Sequence, residues 1–219
     1  MFNLILKDIL IQKKTFLFGA VYIMIIILSF QQIGSPMVPA SIIALTYVMT
    51  QYACAYDDKN KADMLLNSLP LGRDTVVAAR YLSTFVFLAI AVVYYIVLAG
   101  IISVLRLPVR VYPVSFEDIA GCLFSSIVMT SIYFPVFFKV GYIKSRMVNF
   151  VLFYGLFFVG GMLVPELVKD KNSELAKWTT RLFSNQWDVH IIAGAFIITI
   201  LFLSASYMLS LKFYRNREF

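Results

Sequence analysis

The residue types that commonly carry catalysis are scarce in this 219-residue chain and do not form catalytic patterns. His190 is the only histidine, and Asp188 is the only metal-type ligand near it in sequence, so we expect an interfacial polar residue rather than a metal ligand. The chain contains no GxxxxGKS/T phosphate-binding loop, no HExxH and no GxSxG. These are the common signatures of ATP-binding proteins, zinc proteases and serine hydrolases. We therefore expect a chain that is not itself an enzyme and that holds no cofactor of its own.

Six long apolar stretches dominate the chain: residues 16–33, 37–56, 81–105, 119–138, 147–168 and 189–211. Each has roughly the 20 apolar residues that an α-helix needs to cross about 30 Å of hydrocarbon. Porin-like strands would alternate in polarity instead. Hydrophobic residues make up 61% of the chain and charged residues 14%, which is far from the composition of a soluble domain. We expect an all-α membrane protein with six transmembrane helices, a single domain over residues 1–219 and no removable signal peptide.

The distribution of basic residues predicts the orientation of these helices. With the N-terminus placed inside, 13 of the 19 Lys and Arg residues fall in inner segments and 6 in outer segments. Positive residues resist translocation, so both termini are predicted to be cytoplasmic in a multi-pass protein of the cell membrane. On this topology Cys54 and Cys122 lie at opposite ends of the bundle. A disulfide needs Cα atoms within about 7 Å, so we expect both to be unpaired, buried apolar side chains.

Two segments outside the spans are predicted to be surface helices. Residues 1–14 place apolar side chains at helical spacing, with Asn3, Lys7 and Lys14 on another face. This pattern indicates an amphipathic helix in the inner interface with its lysines near anionic headgroups, and a continuation of the first span is the alternative. Residues 169–188 indicate a second helix on the outer surface. Its tryptophans fit an aromatic belt, and a substrate gate is the sharper alternative.

The longest inner connection, residues 57–80, contains a short helical segment with an apolar pair. Residues 60–67 are compatible with a helix that carries Leu65 and Leu66. Exposed leucines on a short helix held between two spans suit docking on another protein. An ordinary polar loop whose leucines dip into the membrane interface is the alternative.

A rigid corner follows this segment. Pro70 disfavours α geometry at Leu69, and Gly72 permits a sharp turn, so the short helix must end there. A new helix is predicted to begin near Arg73 and to continue into the third span. Further along, Ser115 and the acidic residue three positions later predict a capping box that opens the fourth span.

These loop residues resemble the first intracellular loop of ABC type-2 permeases. In that family an acidic end of the second helix leads to a corner of the form slP-s/g-R and then to the pattern iv-a-(+)-Y at the start of the third helix. The interfacial helix, the six spans and the inside termini extend the likeness to nearly the whole chain. The compact size is also similar to small bacterial exporter permeases for antimicrobial or cytolytic peptides, including those that export phenol-soluble modulins. The matching residues are Asp57-Asp58-Lys59, then Leu66-Asn67-Ser68-Leu69-Pro70-Leu71-Gly72-Arg73, then Val76-Val77-Ala78-Ala79-Arg80-Tyr81.

The resemblance implies the membrane-spanning subunit of an ATP-driven exporter that moves amphipathic or hydrophobic cargo, such as antimicrobial or cytolytic peptides, out of the cell. Two permease subunits, identical or closely paralogous, would pair, and each would dock on a separate ATPase subunit that binds ATP and Mg. Membrane lipids and the cargo are the other expected partners, and nucleic acid is not one. A coupling helix would dock on the ATPase through Asp63, Leu65, Leu66, Asn67, Ser68, Leu69, Pro70, Leu71, Gly72 and Arg73. A second, smaller contact would lie in the next inner connection, at Lys139, Lys144 and Arg146.

Two other functions remain open from the sequence. An intramembrane protease of the CAAX type needs buried Glu and His residues, which the six stretches lack apart from Glu166 near an outer end. A non-transporting immunity or sensory protein that binds a toxic peptide is compatible with the sequence. A neighbouring reading frame for a P-loop ATPase would favour the transporter.

We expect the purified chain alone to show no ATP hydrolysis, because it has no loop that could hold the phosphates of ATP. A phosphate-release assay on the protein in detergent measures this directly. Turnover that remains with the protein after contaminants have been removed would contradict the expected division of labour between permease and ATPase.

Overall fold

The computed structural model describes residues 1–29, 31, 34, 36–68, 72–148, 150–151 and 189–217, which form α-helices and turns without a β-strand. Most of the predicted fifth span, residues 147–168, and the whole predicted outer helix, residues 169–188, lie outside this part of the chain. The helices named here are, in chain order, α1 (Phe2–Ile11), α2 (Lys13–Ser29), α3 (Met37–Lys59), α4 (Ala62–Ser68), α5 (Arg73–Val104), α6 (Phe116–Val140) and α7 (Val189–Arg215).

Four of these helices are individually long and apolar enough to cross a membrane. They are α3, α5, α6 and the part Phe196–Arg215 of α7. The helices α1 and α2 are bent by 67° at their junction and qualify as a fifth span only when they are taken together. For the part of the chain that it describes, the structure therefore confirms a helical protein with several candidate membrane spans. The count of six spans and the orientation of the termini stay predictions.

Helix α3 is central to the packing of the bundle. It contacts α2, α5 and α6, while α7 packs along α6 and α5, and α1 lies against α5 and α3. A large apolar core joins α2, α3, α5 and α6 through side chains that include Ile27, Ile42, Leu45, Phe87 and Tyr95. We call the opposite part, where α4 meets the start of α5 and the ends of α3, α6 and α7, the α4 end. It is the end that the sequence predicts to be cytoplasmic.

Several local predictions are confirmed. The hydroxyl of Ser115 accepts a hydrogen bond from the backbone N–H of Asp118 at 3.1 Å, and the Asp118 carboxylate accepts one from the backbone N–H of Ser115 at 2.9 Å. This capping box satisfies two N–H groups that the helix start would otherwise leave unpaired. Cys54 and Cys122 are both buried and unbridged. Helix α5 begins at Arg73, as predicted, with Gly72 as its N-cap.

The orientation of α1 differs from the prediction. It is a separate helix, as expected, but its apolar side chains Phe2, Leu6 and Leu10 are exposed and its polar side faces the bundle. Gln12, just after it, donates a hydrogen bond to the Met49 carbonyl at 2.9 Å. The expectation that Lys7 points towards lipid headgroups is wrong, because carboxylates buried in the bundle attract its ammonium group inward. An outward apolar face suits contact with lipid chains.

Candidate functional site

Helix α4 presents two different faces at its end of the bundle. Leu65 is 65% exposed, and its neighbour Met64 is exposed to a similar degree. Leu66 is only 8% exposed, because it packs into a core of the chain itself. The expectation of two exposed leucines is therefore wrong for Leu66. Successive residues of a helix point about 100° apart, so on a short helix one member of an apolar pair can face the core while its neighbour faces outward.

The core beneath Leu66 is largely aromatic and joins α4 to four other helices, α3, α5, α6 and α7. The rings of Tyr81 and Phe134 meet edge to face with centroids 4.8 Å apart, and those of Phe138 and Tyr214 do so at 5.2 Å. Such pairs add about 0.5–1.5 kcal/mol each to the burial of the rings. We call this group the aromatic cluster, and its buried members are Cys54, Leu66, Val76, Val77, Tyr81, Tyr133, Phe134, Phe137, Phe138 and Tyr214.

A chain of hydroxyl groups ties three of these helices, α5, α6 and α7, together. Ser206 of α7 donates a hydrogen bond to the Ser131 carbonyl of α6 at 2.7 Å. Its single proton is thereby used, so the Tyr81 hydroxyl must donate to Ser206 across 2.6 Å and accept from Ser210 across 2.8 Å. Interhelical bonds of this kind are worth about 1 kcal/mol in membrane proteins. They fix the start of α5 against α7 and α6.

Four charged side chains from three helices meet on the other side of α5. Asp8 of α1, Asp57 of α3 and Arg80 of α5 are 3%, 4% and 6% exposed. The Arg80 guanidinium contacts both carboxylates, at 3.1 Å for Asp8, and the Lys7 ammonium lies 2.8 Å from Asp57 and 3.3 Å from Asp8. The Ser83 hydroxyl donates a further bond to Asp8 at 2.8 Å. We call Lys7, Asp8, Asp57 and Arg80 the ionic cluster.

The charges of the ionic cluster sum to zero. Burying a charge in a medium of low dielectric constant costs several kcal/mol per ion, and only close pairing offsets that cost. Each carboxylate here has two cations within ion-pair distance. The arrangement therefore makes α1, α3 and α5 depend on one another, because removing any one charge leaves the others unbalanced.

The sequence reasoning missed the ionic cluster. It treated Asp57 and Arg80 as motif residues of the inner loop and gave no role to Asp8. A signal was present: Asp8 and Gln12 lie one turn apart on a helix whose other side is apolar, which marks a polar stripe facing protein. The sequence does not show which charges pair. The ion pairs between helices join residues that are 23 to 72 positions apart in the chain.

The corner residues Gly72 and Arg73 belong to the start of α5, with Gly72 exposed and Arg73 partly buried. Gly72 is the N-cap of α5. The Arg73 guanidinium donates to the backbone carbonyls of Tyr214 at 3.3 Å and Arg215 at 2.6 Å, at the last turn of α7. Cationic side chains at a helix C-terminus satisfy carbonyls that have no partner within the helix. The carboxylate of Asp74 pairs with the Arg215 guanidinium at 2.9 Å, in an exposed position.

The remaining predicted docking residues are only partly described. Ser68 is exposed, and its hydroxyl donates to the Leu65 carbonyl at 2.8 Å. Asp63 and Asn67 belong to α4, but their side chains lie outside the described part of the chain. The same holds for the whole of residues 69–71.

The three basic residues of the predicted second contact have different surroundings. Lys139, in the last turn of α6, places its ammonium 5.2 Å from the centre of the Phe213 ring. Lys144 and Arg146 are exposed on the helical residues 142–148. Burial raises the pKa of the neighbouring Tyr142 hydroxyl above its usual value, an effect that Arg146 partly opposes. Tyr142 therefore stays a neutral hydrogen-bond donor beside that cation.

The residues between α6 and this segment bring the loop close to the end of α3. Gly141 has a φ of 81°, a left-handed conformation that favours glycine. A Cβ added there would lie 3.5 Å from the Arg217 guanidinium and 3.9 Å from the Asp58 carboxylate. The second inner connection, the end of α3 and the C-terminal segment therefore meet at the α4 end. Among the described residues, no three His, Cys, Asp or Glu side chains are grouped as a metal site.

A family model described as ABC-2 family transporter protein matches residues 3–215 of the chain. No curated protein and no solved structure matches. The family model spans α1 to the last turn of α7 and therefore includes the ionic cluster, the aromatic cluster and α4.

The ionic cluster predicts a large difference between two aspartates of the α4 end. We expect Asp57→Asn to lower the free energy of unfolding by about 3–5 kcal/mol, because it leaves the cations Arg80 and Lys7 in excess in a buried site. Asp74→Asn is the matched control. It breaks an exposed pair and should leave stability nearly unchanged. Thermal unfolding of the purified variants in nanodiscs measures both.

A double variant tests the balance of charge itself. Lys7→Gln combined with Asp57→Asn restores neutrality, and we expect it to recover part of the stability that Asp57→Asn loses. An Asp57→Asn protein as stable as the Asp74→Asn protein would show that the ionic cluster does not hold the three helices together.

Proposed function

Because the chain belongs to the ABC-2 transporter family, we propose that this membrane subunit of an ABC transporter works in an exporter and that α4 is its coupling helix. The observation that carries the coupling role is the division of α4 into an outward face with Met64 and Leu65 and an inward face with Leu66. A coupling element needs both faces. One face must fit a partner, and the other must transmit the partner's movement to the membrane-spanning helices.

The outward face offers what a groove on an ATPase requires. Two large apolar side chains lie side by side on a helix that stands at the end of the bundle, outside the four individually qualifying spans. Apolar side chains exposed beyond the membrane are costly unless a partner covers them. Membership of the family implies an ABC ATPase as that partner.

The inward face gives a route from α4 to the spans. Leu66 belongs to the aromatic cluster with side chains of α3, α5, α6 and α7, and α4 also contacts α3 directly. It follows that α4 cannot shift without moving or repacking that cluster. Tyr81 belongs to that cluster. Two residues close to it on α5, Arg80 and Ser83, both contact Asp8 of α1. A displacement of α4 would therefore reach α1 and α3 through the first turns of α5.

The wider assembly follows from the same proposal. Two copies of this subunit, or one copy and a close paralogue, would pair in the cell membrane and dock on two ATPase subunits that bind ATP and Mg. The α4 end would face the cytoplasm, in agreement with the excess of basic residues in the predicted inner segments. Lys139, Lys144 and Arg146 would supply the second contact with the ATPase.

The proposed cargo is amphipathic or hydrophobic, with antimicrobial or cytolytic peptides as the first class to test. Aromatic residues make up 16% of the chain, and the spans carry few charges. Surfaces of this kind bind apolar groups better than ions or sugars.

The docking role of α4 is tested by one exposed leucine. We expect Leu65→Asp to fold and insert normally but to lose the ATPase during co-purification, because a charge without a partner in an apolar contact costs several kcal/mol. Such a cost lowers association by about two orders of magnitude or more. Co-purification from membranes that contain the ATPase measures the loss.

Two variants separate docking from folding. Leu105→Asp places the same charge at a leucine of nearly equal exposure, 63%, at the other end of α5, and it should keep the ATPase. Leu66→Ala should lower the free energy of unfolding by about 2–5 kcal/mol, because it leaves a cavity in the aromatic cluster. If Leu65→Asp retains the ATPase as well as Leu105→Asp does, α4 is not the coupling helix.

The cargo class is tested in cells. A strain without this protein should become more sensitive to a membrane-active peptide, or should retain it, and the wild-type gene should restore resistance. The measurement is growth and retained peptide across a panel of amphipathic peptides and lipophilic drugs. Unchanged sensitivity and retention over the whole panel would exclude this cargo class and leave the coupling role of α4 untouched.

A further inference from the structure

A cavity of about 410 Å³ lies between α2, α3 and the segment that follows α6. This volume is within the range of about 300–1,000 Å³ that small-molecule sites occupy. Tyr22 of α2 closes one side, and Tyr142, Arg146 and Phe150 close another. The third side is one face of α3, which we call the cavity face and which consists of Ala44, Tyr47, Val48, Gln51, Tyr52 and Ala55.

The cavity face runs lengthwise along α3, and the two ends of the cavity differ in character. Its residues recur at intervals of three and four, as one side of a helix must, and extend for about 16 Å along α3. The alanines at its two ends leave space beside the helix, and the tyrosines supply aromatic walls. Arg146 lies towards the α4 end, since Gly141 shortly before it is close to Asp58 at the end of α3. The cavity thus has a cationic end and a largely apolar length.

Gln51 stands part of the way along this face with an unused amide. Both its side-chain oxygen and its side-chain nitrogen are buried, and neither has a hydrogen-bond partner among the described residues. A primary amide has two donors and an acceptor, and leaving them unpaired away from water costs several kcal/mol. Within a span, no bulk water is present to reduce this cost. The Gln51 amide is therefore open to hydrogen bonds from whatever occupies the cavity.

A second, much smaller cavity of about 20 Å³ touches the same glutamine. It is lined by Gln51 and Tyr47 together with hydroxyl-bearing residues of α3, α5 and α6. The hydroxyl of Ser126 there also has no partner among the described residues. This space is large enough for one water molecule, which needs about 10–15 Å³. One water can satisfy Ser126 and one side of the Gln51 amide, and the other side faces the larger cavity.

The cation at the other end is also unbalanced. Arg146 is exposed and forms no ion pair with any residue that the structure describes. The neutral hydroxyl of Tyr142 lines the cavity beside it. A guanidinium and a phenol at the mouth of an apolar cavity are donors suited to a carboxylate or a phosphate.

We propose that this cavity binds an amphipathic acid, with its carboxylate or phosphate at Arg146 and Tyr142 and its apolar chain along the cavity face past Gln51. The direction of the site suits a molecule that enters from the membrane leaflet at the α4 end, with its acidic group at the interface and its chain towards the centre of the bundle. Binding requires neither the ATPase nor transport, so it can fail or succeed independently of the proposed exporter function.

The test uses a fatty acid with a diazirine near the end of its chain, added to the purified protein in nanodiscs of phosphatidylcholine. After illumination, mass spectrometry should place the adduct on α2 or on the cavity face of α3. Unlabelled laurate should compete, and dodecyltrimethylammonium, which has a similar chain and the opposite charge, should not. Adducts spread evenly over exposed apolar residues of α7, such as Phe196 and Ile198, would overturn the proposal.

Two cations on the same segment provide a matched pair of variants. Arg146→Gln should weaken laurate competition about tenfold, because it removes a charge-assisted hydrogen bond. Lys144→Gln removes an exposed cation two residues away that does not line the cavity. Laurate should compete with the probe in this variant as well as it does in the wild type. Equal affinity in the two variants would overturn the assignment of the acid group.

Gln51 gives a readout that is separate from charge. Gln51→Met keeps the length of the side chain but removes an amide that an apolar chain cannot hydrogen-bond. The ligand-free protein should therefore become more stable, and laurate should bind the variant at least as tightly as the wild type. Clearly weaker laurate binding by Gln51→Met would place the acid group at the amide instead of at Arg146 and Tyr142, and it would overturn the proposal.

Two further arms identify the occupant. If phosphatidylglycerol added to the nanodiscs displaces the probe, the site belongs to a membrane lipid. If the probe stays bound, the site belongs to a freely diffusing acid. Both results support an amphipathic acid. A photoreactive residue placed at Tyr52 should give no adduct between two copies of the chain. A dimer adduct at that position would overturn the proposal, because the cavity face would then be a subunit interface.

Discussion

The burial of charge in the ionic cluster is the constraint that determines much of the helix packing at the α4 end. Two carboxylates and the Arg80 guanidinium are withdrawn from solvent between α1, α3 and α5, beside the partly exposed Lys7, and each buried charge is tolerated only in the presence of the others. The requirement explains why α1 turns its polar side inward and leaves Phe2, Leu6 and Leu10 exposed. In a soluble protein that orientation would be unfavourable. At the depth of lipid chains it is the favourable one, since the apolar side meets lipid and the charges meet one another.

The first turns of α5 join this constraint to the rest of the bundle. Arg80 and Tyr81 are neighbours in sequence, and their side chains belong to different clusters: Arg80 contacts α1 and α3, and Tyr81 contacts α6 and α7. Because interiors are close-packed, a shift at one cluster cannot be absorbed locally and must alter the other. The C-terminus of α7, held by Arg73, adds a third attachment to the same short length of helix.

The sequence predicted the elements of this region better than their partners. Hydrophobic length located four spans, and proline and glycine located the corner before Arg73, because these signals act within a few residues. The capping box at Ser115 was predictable for the same reason. The inward turn of Leu66 was not, since the periodicity of a seven-residue helix does not say which side faces a core. The contacts of Asp8 with Arg80 and of Lys7 with Asp57 depend on how whole helices pack, which no local pattern contains.

Helix α3 links the ionic cluster to the proposed ligand site, and this has a consequence for how the two sites influence each other. Its last turn carries Asp57, and the preceding three turns carry the cavity face with Gln51. A helix is stiff over such a length, so a rotation or translation that separated Asp57 from Arg80 would also move Gln51 relative to Tyr22 and Arg146. Loss of the ion pairs would then change the shape of the cavity without any change in its lining residues. Coupling of two sites through one rigid element is reciprocal, so an occupant that fixes the position of α3 must also favour the paired state of the ionic cluster.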